Sequence, residues 1–426
     1  MNFQLSKLKN GVKVVLIPMQ GVESVGIGVY AKTGSRYENL KINGLSHFLE
    51  HMVFKGTKKF PSHRETSYLE GLGAIQNAWT DVDATAYWCK IVADRWNEGL
   101  ELMKELALNP LFPEKDLEIE RGVVVEEINR REDRPDEIVS EVLQQELFGP
   151  NSLGMTVLGE ASVIKSVSRK DFVDYHSEQY VSERLAVVIA GKIKDETAVR
   201  DSIESWFGEL PSKAGRTFEP LASLTAGPEV KIYKKKTADQ VHFELGLRTF
   251  NSKDKKRFAL AVLTSYLGQG LSSRLFVELR EKRGLCYSVN ASSSHLEDVG
   301  MWSVYAGAAK SKVMSAVEAV WEEMKRLREI KLNPDDLLAA KEKMRGQLLF
   351  AKENPIHQME FYARQVLDKP EEMMDYDTVI DSLMQVSSEE VRGIASELFL
   401  SSNLRLAAVG ELVSSDREKM KRILSV

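Results

Sequence analysis

The sequence has very little cysteine and no long hydrophobic run. Cys89 and Cys286 are the only cysteines in 426 residues, so the chain has no disulfide framework, and a secreted origin gains no support. No apolar segment approaches the roughly 18 to 20 residues of a membrane-spanning helix. The first 18 residues, MNFQLSKLKNGVKVVLIP, lack a basic segment followed by an apolar stretch and a cleavage site. We therefore expect a cytoplasmic protein that does not span a membrane.

An excess of positive charge is also missing. The chain has 58 Lys and Arg against 63 Asp and Glu, which gives a formal net charge of -5. This balance excludes the basic surface that a nucleic-acid-binding protein needs, and the triplet 234–236 of lysines is too short to supply one. A single core rarely grows past roughly 250 to 300 residues, so the length predicts at least two domains.

Three short segments of the first half recur in the second half, in the same order and at a nearly constant spacing of about 220 residues. The matched pairs are Gly44–Ser46 with Gly270–Ser272, Leu111–Leu117 with Leu332–Leu337, and Arg184–Gly191 with Arg405–Gly410. Chance similarity of short apolar segments is the competing interpretation. Residues 211–228, PSKAGRTFEPLASLTAGP, have the composition of a linker. We predict an N-terminal domain at residues 1–211, a linker at 212–228 and a homologous C-terminal domain at 229–426.

Strand-like and helical segments are mixed within each half. Residues 12–17, 25–30 and 85–92 are rich in β-branched and aromatic side chains, whereas residues 97–107 and 314–330 show helical periodicity. Residues 76–79 and 85–92 flank a short polar turn and are predicted to form a hairpin. The pattern favours an α+β fold with two homologous α/β sandwich domains.

Residues 43–57, NGLSHFLEHMVFKGT, carry the strongest functional pattern of the chain. The apolar residues are spaced to form one face of a helix, and they are Leu45, Phe48, Leu49, Met52 and Val53. His47, Glu50 and His51 therefore lie on the opposite side, with the two imidazoles one turn apart. That spacing lets both histidines reach one tetrahedral cation, so the helix is predicted to present a metal site.

A zinc site with two histidines needs a third protein ligand. Residues 113–133, PEKDLEIERGVVVEEINRRED, begin with proline and acidic residues and are predicted to form a helix. Glu120 and Glu127 lie on one face of it, two turns apart, whereas Glu126 is rotated by about 100°. We predict Glu127 as the metal ligand. Glu120 is predicted to lie next to the ligands without binding the metal itself. A solvated acidic helix face is the competing interpretation of both residues.

These motifs together closely resemble the pitrilysin family of zinc peptidases with an inverted His-x-x-Glu-His motif, in particular its two-domain, processing-peptidase-like branch. The resemblance is carried by HFLEHMVFKGT and by Glu127 in ERGVVVEEI. It extends to residues 77–80 and 85–87, where family members carry a hairpin whose edge strand receives the substrate. It also extends to SSRLFVELREKRGLCYSV, which resembles the segment bearing a substrate-binding arginine and tyrosine, here Arg280 and Tyr287.

The resemblance implies a zinc-dependent endopeptidase that hydrolyses flexible or unfolded peptides. His47, His51 and Glu127 would hold one Zn²⁺ per chain and leave a fourth position for water. Glu50 would be the catalytic general base. Glu120 would orient a ligand histidine through the free N–H of its ring.

The resemblance also implies how the peptide is held. It would bind as an added edge strand beside Asn77 and Ala78, which gives affinity with little sequence selectivity. Tyr287 would bind substrate and help to stabilise the oxyanion, and Arg280 would hold a substrate carbonyl or terminus. In the sequence repeat, Ser273, Phe276 and Val277 correspond to His47, Glu50 and His51. The second half is therefore expected to bind substrate and no metal.

The assembly implied by the resemblance is a half-clamshell that pairs as a homodimer. Each active site would be completed in trans, with the metal residues of one protomer and Arg280 and Tyr287 of the other. A non-catalytic structural core-type subunit of the same fold is the alternative function. An active subunit that requires an inactive partner chain is a third interpretation. The chain keeps every metal ligand, the base, Arg280 and Tyr287, which favours an active peptidase.

Overall fold

The computed structural model describes residues 3–236 and 239–426, which form two compact units. The first contains residues up to Asn129 together with Met155–Pro220 and Phe350–Asp375, and the remaining described residues form the second. Each unit is built on one β-sheet covered by helices, and the predicted α+β fold with two domains is confirmed. The domain boundaries predicted at residues 211 and 229 follow the sequence repeat and stay a prediction.

The sheet of the first unit has six strands. They are β1 (Gln4–Lys7), β2 (Lys13–Pro18), β3 (Ser24–Ala31), β4 (Ile75–Thr80), β5 (Thr85–Val92) and β6 (Leu185–Gly191). Their order is β1-β2-β6-β3-β5-β4, and all neighbours are antiparallel except β2 and β6. β4 and β5 form the predicted hairpin, and β4 is an edge strand of the sheet.

The sheet of the second unit has five strands. They are β7 (Glu229–Lys234), β8 (Val241–Thr249), β9 (Ser288–His295), β10 (Gly300–Ala308) and β11 (Arg405–Gly410). Their order is β7-β11-β8-β10-β9, with β7 parallel to β11 and the other neighbours antiparallel. This is the arrangement of β2-β6-β3-β5-β4 in the first unit, so the repeated sequence segments occupy equivalent places in two similar sheets.

Fifteen α-helices are present in the described part of the chain. They are α1 (Leu45–Val53), α2 (His63–Thr66), α3 (Trp96–Leu108), α4 (Glu114–Glu132), α5 (Pro135–Phe148), α6 (Ala161–Ser166), α7 (Arg169–Gln179), α8 (Glu196–Phe207), α9 (Lys256–Gly268), α10 (Val313–Glu329), α11 (Pro334–Lys352), α12 (Pro355–Asp368), α13 (Tyr376–Gln385), α14 (Ser388–Leu398) and α15 (Ser414–Ser425). The helices predicted around residues 45–53, 97–107, 113–133 and 314–330 are therefore confirmed. None of the described helices has the length and apolar character needed to cross a membrane.

The two halves of the chain exchange one helix each. The consecutive helices α4 and α5 have 19 and 14 residues, as do α11 and α12, and both α5 and α12 begin with proline. α5 packs on β8 and β11 of the second sheet, whereas α12 packs on β2, β3 and β6 of the first sheet. Each sheet is thus covered on one face by a helix from the other half of the sequence.

The first sheet needs this second cover because both of its faces are apolar. Val14 and Leu16 point into one core cluster, which also contains residues of α1 and α3. The alternate residues Val15 and Ile17 point to the opposite face, where they pack in a second cluster with Met359 and other residues of α12. Because successive side chains of a strand point to opposite faces of the sheet, β2 contributes apolar residues to both clusters.

Gly28 in β3 lets α12 approach the sheet closely. A Cβ atom at this position would lie 2.9 Å from the Met359 sulfur and would also clash with the Tyr30 ring. Met359 and Tyr30 are both fully buried, so neither side chain can move aside without disturbing the core. The absence of a side chain at Gly28 is thus a requirement of helix packing.

We predict that Gly28→Ala lowers the free energy of unfolding by about 1–3 kcal/mol, because an added methyl group overpacks this contact. Urea denaturation of the full chain, followed by circular dichroism, measures the change.

Gly122→Ala is the matched control. No heavy atom lies within 4 Å of the position of its Cβ, and an alanine in a helix interior is favoured over glycine by about 1 kcal/mol. This variant should be as stable as the wild type or more so. A Gly28→Ala protein with unchanged stability would contradict the packing argument.

Candidate metal centre

The helix α1 presents its polar residues on one side because its apolar residues are buried on the other. The buried residues are Leu45, Phe48, Leu49, Met52 and Val53, as predicted. α1 packs beside the edge strand β4. His47, Glu50 and His51 consequently share the face that is turned away from this apolar core.

A buried carboxylate caps the start of α1. Gly44 precedes the helix with a φ of 93°, a conformation that favours glycine, and no side chain of its own can cap the helix. The Glu38 carboxylate accepts hydrogen bonds from the backbone N–H groups of Gly44 (2.7 Å) and Ser46 (2.6 Å) and from the Asn43 amide (3.1 Å). These bonds fix the first turn, from which His47 projects.

The third predicted ligand comes from α4. The Glu127 Oε2 atom lies 3.7 Å from His47 Nε2 and 3.6 Å from His51 Nε2. The three atoms form the one group in the described residues that could hold a metal ion. Metal bonds of about 2.0–2.2 Å to histidine nitrogen and carboxylate oxygen place neighbouring ligand atoms at about this separation in a tetrahedral site. The neighbouring Glu126 is exposed and pairs with Asn129.

The electrostatics of the two histidines suit a cation. Burial, with a smaller effect of His51, lowers the pKa of His47 to about 3, so its imidazole is neutral and can donate a lone pair at neutral pH. His51 Nδ1 lies 3.2 Å from the Glu120 carboxylate, which also pairs with the Lys55 ammonium at 2.6 Å. Glu120 is thus placed to orient His51, and Lys55 was not foreseen from the sequence. His47 Nδ1 has no partner in the described residues, so packing alone orients that ring.

Glu50 lies between the two histidines in sequence but is not part of the ligand group. Its Oε2 atom accepts a 2.6 Å hydrogen bond from the hydroxyl of Thr80, the last residue of β4. Burial raises the pKa of the Glu50 carboxyl, and the Thr80 bond offsets part of that rise. A carboxylate beside a metal site, engaged at one oxygen only, can accept a proton at the other.

The predicted substrate-binding residues lie in two places. Asn77 and Ala78 are in the edge strand β4, where the Asn77 side chain accepts a hydrogen bond from the Ala78 N–H at 2.9 Å. Arg280 and Tyr287 belong to the second unit, and the Arg280 guanidinium donates to the Tyr287 carbonyl at 2.8 Å and lies 4.9 Å from the centroid of its ring. Tyr287 is 71% exposed. The Tyr287 side chain is therefore available to a ligand.

The part of the second unit that corresponds to α1 has no ligand set. The predicted counterparts of His47, Glu50 and His51 are Ser273, Phe276 and Val277. Residues Phe276–Lys282 form a π-helix rather than an α-helix. Among the described residues, the group that could hold a metal ion lies in the first unit and includes no residue of this region.

The remaining cysteines and histidines have structural surroundings. Cys89 and Cys286 are unpaired and buried, and burial raises their pKa to about 12 and about 11, so neither is a reactive thiolate. His176 Nε2 donates to the Ala107 carbonyl at 2.8 Å. His242 contacts the Tyr305 hydroxyl at 2.7 Å. Burial of both cysteines and the hydrogen bonds of both histidines are those of structural residues.

Comparison with known proteins gives matches along most of the chain. Residues 13–161 match the family described as insulinase (peptidase family M16), and residues 166–344 match the peptidase M16 inactive domain. The uncharacterized zinc protease YmxG of Bacillus subtilis (strain 168) is 33% identical over 396 residues, which cover 92% of this chain and 94% of that protein. An uncharacterized zinc protease of Rickettsia bellii (strain RML369-C) is 30% identical over 407 residues, 94% of this chain and 96% of its own length.

Two crystal structures share the fold. A protease from Helicobacter pylori has a TM-score of 0.88 at 22% sequence identity and covers 96% of this chain and 99% of its own. A Pseudomonas fluorescens structure described as a peptidase M16 inactive domain has a TM-score of 0.87 at 17% sequence identity. It covers 97% of this chain and 99% of its own. At these identities the likeness concerns the fold alone.

The geometry predicts that Glu127→Gln weakens the binding of Zn²⁺ by at least about 100-fold, because loss of even an outer partner of a zinc ligand costs about 10- to 100-fold. Competition titration against a chromophoric chelator measures the dissociation constant.

Glu126→Gln removes the same charge from the neighbouring position of the same helix and should leave Zn²⁺ affinity within about twofold of wild type, since an exposed charge contributes little. Equal losses in the two variants, or a larger loss for Glu126→Gln, would show that Glu127 is not the ligand.

Proposed function

Because the chain belongs to peptidase family M16, we propose that it is a zinc-dependent endopeptidase that hydrolyses flexible or unfolded peptides. The convergence of the His47, His51 and Glu127 ligand atoms carries this proposal. Glu50 lies on the same helix face and can accept a proton. The relatives named zinc proteases support the same reaction class.

The chain's own residues supply ligands, a base and a binding strand. A zinc ion bound by the three ligands would polarise the scissile carbonyl and acidify a water molecule. Glu50 Oε1 takes a proton from the attacking water, and the same carboxyl then delivers it to the leaving amine. Glu120 holds the His51 ring so that its Nε2 lies beside Glu127, where it would bind the ion.

Peptide binding is proposed at the edge strand β4. An extended peptide can add to an edge strand through main-chain hydrogen bonds, which are indifferent to sequence. Asn77 and Ala78 lie in the middle of β4, three and two residues before the threonine that contacts Glu50. Arg280 and Tyr287 are proposed to hold the substrate carbonyl or terminus and to help stabilise the oxyanion.

We further propose a cytoplasmic homodimer in which each active site is completed in trans. The metal residues and the Arg280–Tyr287 pair belong to different compact units. Two-fold symmetry allows the metal residues of one protomer to work with the pair of its partner. The two unpaired cysteines support a reducing compartment.

Glu50→Gln should retain about one zinc per chain and lose nearly all turnover, because the carboxylate is a base and not a ligand. Metal analysis and cleavage of a fluorogenic, unstructured peptide by the purified chain measure both quantities. Removal of zinc with a chelator should abolish wild-type turnover, and added zinc should restore it.

A wild-type chain that binds zinc and cleaves no peptide by itself would contradict the proposal and favour a structural subunit or a subunit that needs a different partner. Normal turnover of Glu50→Gln would show that another group is the base.

Mixing two inactive variants tests the site in trans. If Glu50→Gln and Tyr287→Phe chains exchange at random, about half of the dimers are mixed and each has one intact site, so activity should recover to about a quarter of wild type. Native mass spectrometry of isotope-labelled chains confirms exchange. Complete exchange without recovered activity would mean that each site lies within one chain.

A further inference from the structure

The Thr80 hydroxyl makes the only hydrogen bond of the Glu50 carboxylate among the described residues. Its length of 2.6 Å is in the range of charge-assisted O–H···O⁻ bonds, which are stronger than neutral ones. The bond occupies Oε2 and leaves Oε1 without a partner in this part of the structure. The bond to Thr80 therefore fixes one carboxylate oxygen of Glu50 and leaves the other to accept a proton.

The residues on both sides of Thr80 in sequence contact other elements of the first unit. The Trp79 ring packs 6.2 Å from the Tyr30 ring and lies 4.9 Å from the Arg364 guanidinium. Asp81 on the other side pairs with the same Arg364 at 3.4 Å. Arg364 belongs to α12, so the exchanged helix braces the end of β4 where Thr80 lies.

A glutamate needs such support to act as a base. Its side chain has three rotatable bonds, and a misplacement of about 1 Å can cost about 100-fold in rate. A carboxylate next in sequence to a ligand histidine can also turn toward the cation and become a ligand itself. A short bond to a braced strand opposes both movements.

We propose that Thr80 is a positioning residue that holds Glu50 as the general base and ties this base to the strand that receives the peptide. The inference rests on the proposed function. Thr80 touches neither the metal ligand atoms nor, in this proposal, the reacting carbonyl. Its effect is exerted through Glu50, and it makes the edge strand a part of the catalytic geometry.

Three variants of the full-length, zinc-loaded protein test this role. Thr80→Val keeps the shape of the side chain and removes the hydroxyl, whereas Thr80→Ser keeps the hydroxyl. Thr85→Val is the matched control, because Thr85 is the cross-strand partner of Thr80 and donates its hydroxyl to the Thr33 carbonyl at 3.2 Å. The Thr85→Val substitution removes a threonine hydroxyl from the same cross-strand pair and leaves the bond between Thr80 and Glu50 in place.

Thr80→Val should lower kcat by about 10- to 100-fold, the range expected for a disturbed general base, with KM within about twofold of wild type and zinc content unchanged. Thr80→Ser should recover most of kcat. Thr85→Val should lower the melting temperature with kcat unchanged. The inference fails if Thr80→Val keeps the wild-type kcat, if Thr80→Ser is as impaired as Thr80→Val, or if Thr85→Val loses as much kcat.

Crystal structures of wild type, Thr80→Val and Thr80→Ser separate this inference from the proposed function. The Glu50 carboxylate should be displaced in Thr80→Val and unmoved in Thr80→Ser. An unmoved carboxylate in Thr80→Val overturns the positioning role, whatever the turnover. Absence of peptide cleavage by the wild type overturns the proposed function, whereas the carboxylate positions still decide the role of Thr80.

Discussion

The apolar character of both faces of the first sheet is the constraint on which the rest of the structure depends. A sheet with two apolar faces needs helices on both sides, because either face left in water would lose the free energy of burial. In the first unit, α3 covers one face and α12 the other. Since α12 lies more than 160 residues after the last strand of that sheet, the first core is complete only when most of the chain has been made.

This dependence reaches the candidate metal centre. α1 and α4 supply the ligands from one side of the first sheet, and the hairpin that holds Glu50 through Thr80 is braced by Arg364 of α12. The site therefore draws on a residue near position 50, another near 127 and a third near 364. A change in the packing of α12 is therefore expected to displace Glu50, although α12 contributes no residue to the ligand group.

The sequence predicted the parts of the site that depend on local spacing. His47, Glu50 and His51 share one helix face, and Glu120 and Glu127 share another, because the helical period fixes both. The roles of Glu38 and Thr80 were missed because they depend on contacts between different segments, a loop with a helix and a strand with a helix, which no single periodic pattern specifies. The exchange of α5 and α12 was also not visible, since linker composition marks chain boundaries and not packing partners.

The reciprocal exchange of α5 and α12 has the form of a domain-swapped dimer whose two copies are joined in one chain. Equivalent helices leave equivalent positions and cover equivalent sheets, so the two halves cannot diverge independently. Among the described residues the second half contributes nothing to the ligand group, yet its helix α12 covers the sheet beside those ligands. The half that holds the ligand group therefore needs the other half to complete its core.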